Sequence, residues 1–175
     1  MTKIFMPQAR FVRRPIYIRG KKSIVGGKNL TTGRFCRFDL NGEKKTLFIG
    51  DNCEMGDMTH IVAHEKVEIG NNVLIASKVF ISDTSHGNYL GNGKTSMPTN
   101  TPNQRVLVIK PVLIEDNVWI GENVCILYGV KIGRGSVIGA NAVITKDVPE
   151  CSIAVGVPAN VIGYFDFGSC SWKRA

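Results

Sequence analysis

VIKPVLIEDNVWIGENVCILYGVKIGRGSVIGANAVITKDVP, residues 108–149, divides into seven consecutive six-residue units, each opening on Val or Ile. The fifth residue of every unit is Val, Ser or Ala. First and fifth positions therefore recur at steps of four and two, always even. Side chains alternate faces along a strand, so even steps keep all of them on one side, whereas a helix would scatter them around its axis. The second to fourth positions are rich in Gly, Asn and Asp, which tolerate sharp corners and positive φ. Each unit is a short strand plus a corner. Repeats of this kind stack their strands in parallel, each coil burying its apolar face against the next.

The frame extends upstream. IGNNVL, IASKVF and ISDTSH carry it from Ile69 to His86, and IGDNCE and MGDMTH start it at Ile49, with an eight-residue unit, IVAHEKVE, between. Before residue 49 the six-spacing survives in Ile18, Ile24, Leu30 and Cys36, but the fifth positions become Lys22, Lys28, Arg34 and Leu40. A charge there would be buried at high cost in a closed coil. The expectation is a single domain over 1–175. It has irregular basic coils in 1–48, a regular β-helix in 49–162 interrupted by a loop at 87–107, and a C-terminal cap in 163–175 whose aromatics cover the last coil.

Composition sets the bounds. Hydrophobic content of 43% and charged content of 21% are those of a soluble globular protein. No apolar run approaches the roughly 18–20 residues that span a bilayer. The basic start, MTKIFMPQARFVRRPIYIRG, has neither a continuous apolar stretch nor a small-residue cleavage site, so the chain reads as cytoplasmic. Five widely spaced cysteines without a CxxC argue against a disulfide framework and a zinc knuckle, and no metal is expected. The net charge of +8 is uneven: residues 1–50 hold 12 Lys and Arg against Asp39 and Glu43. Such a region faces an anionic lipid surface or a phosphorylated or lipid-linked substrate, or is simply a solvated end. No nucleic-acid partner is expected.

The loop 87–107 serves no packing purpose in a β-helix, and long ordered loops in compact domains are usually functional. His86 is the last residue before it. A sugar hydroxyl is fully protonated near neutral pH, and a neutral imidazole, with an ordinary pKa of about 6.5, is the natural general base for it. The alternative is a polar residue where a strand ends.

The hexads resemble those of the hexapeptide-repeat acyltransferases, whose fold is a left-handed parallel β-helix, a triangular prism with three hexads per coil. The hand comes from the resemblance alone, since the general rule for parallel crossovers gives right-handed. The run from Lys110 to Ile162 and the upstream TGRFCRF are similar to the sugar and polysaccharide O-acetyltransferase branch. The resemblance implies acetyl-CoA as donor, a sugar hydroxyl or surface-polysaccharide precursor as acceptor, His86 as general base, and a homotrimer with active sites between subunits. It places Trp119 near the acetyl group, and Ala140, Thr145 and Lys146 along the coenzyme groove. The tetrahedral oxyanion of the transfer needs donors, expected from backbone N–H groups near Gly121. Packing is the other reading of Trp119, and an exposed corner that of Lys146. Asp83 is either a carboxylate that orients His86 or a corner aspartate.

Two departures stand out. In the galactoside branch the histidine precedes proline, where this chain has Gly87. Its active-site asparagine aligns with Gly56, next to Asp57. The acceptor pocket is therefore expected to differ, with Asp57 a candidate in it. Serine, nucleotide amino sugars and antibiotics remain alternative acceptors. A polyanion-binding β-helix without catalysis, using residues 1–50, is the non-enzymatic alternative. A γ-class carbonic anhydrase would share the prism, but His60, His64 and His86 have the wrong order of spacings for its zinc site.

Overall fold

In the computed structural model, which describes residues 6–89, 91 and 93–175, Val118 and Ile120, Val124 and Ile126, and Val130 and Ile132 point inward and are at most 2% exposed. One outward residue separates the members of each pair, as a strand requires. Corners precede the pairs. Asn117, Asn123 and Asn141 turn them at φ of 59°, 60° and 61°, a left-handed conformation that Asn tolerates.

The first coil is β1 (Phe11–Val12), β2 (Ile16–Arg19) and β3 (Ile24–Gly26); the second is β4 (Thr31–Thr32), β5 (Cys36–Leu40) and β6 (Leu47–Ile49). The third is β7 (Glu54–Met55), β8 (His60–Ala63) and β9 (Val67–Ile69). The fourth runs through β10 (Leu74–Ile75) and β11 (Phe80–Ser82), leaves along β12 (Thr84–His86), returns along β13 (Leu107–Ile109) and resumes at β14 (Val112–Ile114). Next come β15 (Trp119–Ile120), β16 (Cys125–Ile126) and β17 (Lys131–Ile132), then β18 (Val137–Ile138) and β19 (Val143–Ile144). The chain ends in β20 (Ser152–Gly156), β21 (Ala159–Asp166) and β22 (Ser171–Arg174).

These strands form three parallel walls. Wall A stacks β1, β4, β7, β10, β15, β18 and β20; wall B stacks β2, β5, β8, β11, β16 and β19; wall C stacks β3, β6, β9, β14 and β17. The protein is a parallel β-helix, a three-walled prism. Stacked asparagines along the edge between walls C and A measure each coil. Asn52 and Asn72 are 20 residues apart and Asn72 and Asn117 are 45 apart, whereas the regular coil between Asn123 and Asn141, on the edge between A and B, takes 18. The eight-residue unit and the loop account for the longer coils.

Two sequence expectations change. The N-terminal residues pair in register with the later coils, Cys36 with Ile16 on one side and Arg37 with His60 on the other. Leu30 and Cys36 occupy the fifth position there, and Thr32 and Phe38 the first, all at 0% exposure. The basic residues assigned inward by the original frame, Lys22, Lys28 and Arg34, are exposed. The cap differs too. β21 and β22 add antiparallel strands to wall A, carrying it past the last coil. Ala159 of β21 packs against the core, but the aromatics of β21 and β22 are not part of that cluster. Phe165 instead packs edge-on against Phe167 and Trp172, which are 72% and 45% exposed. Among the described residues no helix is long and apolar enough to cross a membrane.

Candidate active site

The candidate residues divide between two edges of the prism. Asp57, Gly121 and Ala140 lie on the A/B edge, with Trp119 beside them on wall A. Asp83, His86, Thr145 and Lys146 lie on or leave the B/C edge. Wall B separates the two groups, so a single chain does not bring them together.

On the B/C edge the ribbon of β12 and β13 projects outward, with Ser85 opposite Val108 and His86 opposite Leu107. The hexad frame had pointed both Ser85 and Val108 inward. The Gly87 N–H donates to the Ser85 carbonyl at 3.0 Å, which makes His86 the apex of a three-residue turn. Its side chain is exposed, and among the described residues the imidazole has no hydrogen bond or ion pair. Thr145 and Lys146 are exposed on the same edge two coils further on.

Asp83 does not orient His86. It is fully buried, and its carboxylate accepts the N–H groups of His64, Glu65 and Lys66 at 2.7–3.0 Å. Both oxygens are occupied by the corner of the eight-residue unit. Asp57 is exposed, but one of its oxygens accepts the Arg34 N–H at 2.6 Å.

The other edge is built from close approaches. A Cβ on Gly121 would lie 2.6 Å from the Ala140 nitrogen, so only glycine fits. The Gly121 N–H donates to the Ile138 carbonyl at 2.8 Å and is therefore committed to the ladder rather than free for an oxyanion. Ala140 is exposed, and Trp119 is 52% exposed, paired with Leu74 and Val137. A packing role inside the chain does not account for that exposure.

The remaining histidines are held differently. His60 shares a 3.1 Å contact with Asp39 and packs on Phe80, while the His64 N–H belongs to the Asp83 cap. Burial pushes the Cys36 and Cys53 thiols above their ordinary value, which makes them poor nucleophiles. A hollow of about 360 Å³ lies on wall C between Glu68, Leu113 and Arg134, and no candidate residue lines it. Sequence reasoning passed over Tyr89 and Arg105, which contact the His86 main chain or its neighbour; an aromatic in an otherwise Gly- and Asn-rich loop was the available sign.

The bacterial transferase hexapeptide (six repeats) family matches residues 111–146. Over 175 residues, all of this chain and 89% of the relative, the sequence is 40% identical to the putative lipopolysaccharide biosynthesis O-acetyl transferase WbbJ of Escherichia coli (strain K12). The chain belongs to the hexapeptide-repeat acyltransferases. Galactoside O-acetyltransferase of the same organism is 40% identical over 116 residues, 66% of this acyltransferase but only 53% of that enzyme. The crystal structure of the hexapeptide-repeat containing acetyltransferase VCA0836 from Vibrio cholerae O1 biovar eltor, complexed with acetyl coenzyme A, is 30% identical. It superposes with a TM-score of 0.66, covering 82% of this chain and 72% of that one. The family match over 111–146 takes in Trp119, Gly121, Ala140, Thr145 and Lys146. His86 lies outside it and stands on the geometry of its loop.

Proposed function

We propose that this acyltransferase moves the acetyl group of acetyl-CoA to a hydroxyl of a sugar or surface-polysaccharide precursor, with both substrates bound together and His86 as general base. The observation that carries this reading is the exposed imidazole at a turn apex, without a partner among the described residues, at the mouth of the longest break in the repeat. The imidazole takes the hydroxyl proton as the oxygen attacks the thioester carbon. The C–O bond forms, the C–S bond breaks, and the proton passes to the departing thiolate. The acetyl-CoA of the Vibrio structure and the O-acetylation named for the WbbJ relative support donor and acceptor.

The site is completed between protomers of a trimer. His86 on one edge and Trp119 beside another meet when the B/C edge of one prism lies against wall A of the next. The exposed Leu74 and Trp119, 47% and 52% accessible, give that wall an apolar strip to bury.

The basic residues favour an acceptor that carries phosphate. Lys21, Lys22, Lys44 and Lys45 occupy the same B/C edge as His86, in the first and second coils. At ~4.8 Å per coil they lie ~10–15 Å from the fourth coil, the reach of a sugar diphosphate. The KM for such an acceptor should rise with salt.

Thiol release from acetyl-CoA across sugars, nucleotide sugars, oligosaccharides, serine and antibiotics tests the reading. His86→Ala should lower kcat by roughly 10²–10⁴ with the KM for acetyl-CoA and the melting temperature unchanged. Alanine at His60 or His64 should leave the chemical step intact. Near-normal turnover of His86→Ala would overturn the assignment.

A further inference from the structure

The loop that follows His86 is tied back onto it by two residues. The Tyr89 hydroxyl donates to the His86 carbonyl at 2.5 Å, and the same oxygen accepts the Arg105 Nη1 at 2.6 Å. Arg105 is fixed in turn: its Nε donates to the Asn100 carbonyl at 3.0 Å, and its Nη2 to the carbonyls of Asn100 at 2.8 Å and Pro98 at 3.1 Å. Its guanidinium carbon also sits 5.8 Å from the centre of the Tyr89 ring.

We propose that Tyr89 and Arg105 form a latch that positions His86 for proton transfer, an inference that rests on the reading of His86 as the general base. Among the described residues the imidazole has no side-chain partner, so its direction depends on the main chain at the apex of the three-residue turn. One side of that apex is fixed by the ribbon, where His86 lies opposite Leu107. On the other side the Ser85 hydroxyl donates to the Gly87 carbonyl at 3.3 Å, and the Tyr89 hydroxyl reaches back to the carbonyl of His86 itself. A phenol that accepts from a cation becomes a stronger donor to the carbonyl beyond it, so Arg105 tightens the bond it does not itself make. Arg105 is also two residues from Leu107. The latch therefore closes the base of the loop from both strands, whatever the intervening residues do. A base held within hydrogen-bond reach of its proton, rather than visiting it, is what rapid transfer requires.

Gly87 fits the same device. Its φ is +119°, and an added Cβ would lie 2.7 Å from the Tyr89 hydroxyl oxygen, 2.8 Å from Cζ and 2.9 Å from the Ser96 hydroxyl. Tyr89 folds back over His86 only because that space is empty. The departure from the galactoside branch, glycine for proline after the histidine, thus makes room for the latch.

Tyr89→Phe removes one oxygen and no packing. It should lower kcat by about tenfold, the scale of one hydrogen bond, leaving the KM for acetyl-CoA and the melting temperature in place. Arg105→Ala should lose at least as much, and Arg105→Lys should recover part of it through the retained charge. The deciding measurement is a double-mutant cycle with His86→Ala. A latch that acts only through His86 costs nothing further once the imidazole is gone, so Tyr89→Phe in that background should leave the residual rate unchanged. An unaltered kcat in Tyr89→Phe, or the same fold loss with and without His86, overturns the latch while leaving the base intact. A fast His86→Ala enzyme instead overturns the base reading, and the latch with it.

Discussion

The Asp83 carboxylate accepts the Glu65 N–H at 2.7 Å in a position with no exposure to water. The N–H groups of His64 and Lys66 converge on the same carboxylate because the eight-residue unit puts two extra residues into a corner that six would turn. Among the described residues those amides have no neighbouring coil carbonyl as partner, and Asp83 supplies the acceptor from the coil above. Asp83→Ala leaves three amides unpaired and should cost about 2–4 kcal/mol. Asp83→Asn, with one carbonyl oxygen and an NH₂ facing the donors, should recover less than half of that. Urea unfolding midpoints measure both, and midpoints equal to wild type would show that the corner does not depend on the carboxylate.

Acid sensitivity should appear first on wall B. Burial works against the charge on Asp39, but hydrogen bonds from His60 and Arg37 and the charges of Arg19 and Arg37 outweigh it, holding the carboxyl below its ordinary value. A depressed carboxylate stabilises the fold fully above its unfolded-state pKa of about 3.9 and loses that contribution as pH falls through the lower folded value. The melting temperatures of wild type and Asp39→Asn should therefore differ above about pH 5 and converge progressively below it. A gap that is constant to pH 2.5, or absent at pH 7, contradicts the cluster's role.

Much of this architecture is legible in the hexads, because one coil binds the next through residues of fixed spacing. Ile49, Ile69, Ile114 and Ile138 needed only an even period to be placed inside. The N-terminal coils were obscured because Leu30 and Cys36 carry the six-spacing but sit at the fifth position; the inward residue two further on is Thr32 or Phe38, and neither looks like the aliphatic first residue of a hexad. The candidate site was half legible. His86 stood out where the period breaks. Its neighbours did not, since Tyr89 and Arg105 meet across an aperiodic loop. Asp83 could be read as a corner aspartate, but which corner it closes could not, because its partners are main-chain amides of another coil, which leave no mark in a sequence.

The coenzyme groove can be tested one residue at a time. Lys146 is exposed on the B/C edge and Trp119 on wall A; the proposed site gives Lys146 a coenzyme phosphate and Trp119 the reacting acetyl group. Lys146→Ala should raise the KM for acetyl-CoA more than it lowers kcat, and Trp119→Ala should damage both. Unchanged saturation by acetyl-CoA in both variants would place the groove elsewhere.

The division of candidate residues between two edges gives the last prediction. If each site takes His86 from one protomer and Trp119 from the next, two defective enzymes repair one another when mixed. His86→Ala protomers keep an intact Trp119 surface, and Trp119→Ala protomers keep an intact His86 edge. Random assortment in co-refolded trimers gives each interface one of four pairings, and one of them joins the two intact surfaces. About a quarter of the wild-type rate should return, from parents that each retain a small fraction of it. Light scattering must first find a trimer, and a species of 19.2 kDa would remove the premise. A site contained within one protomer gives the opposite result: every site in the mixture carries one lesion, and the rate is the mean of the two parents.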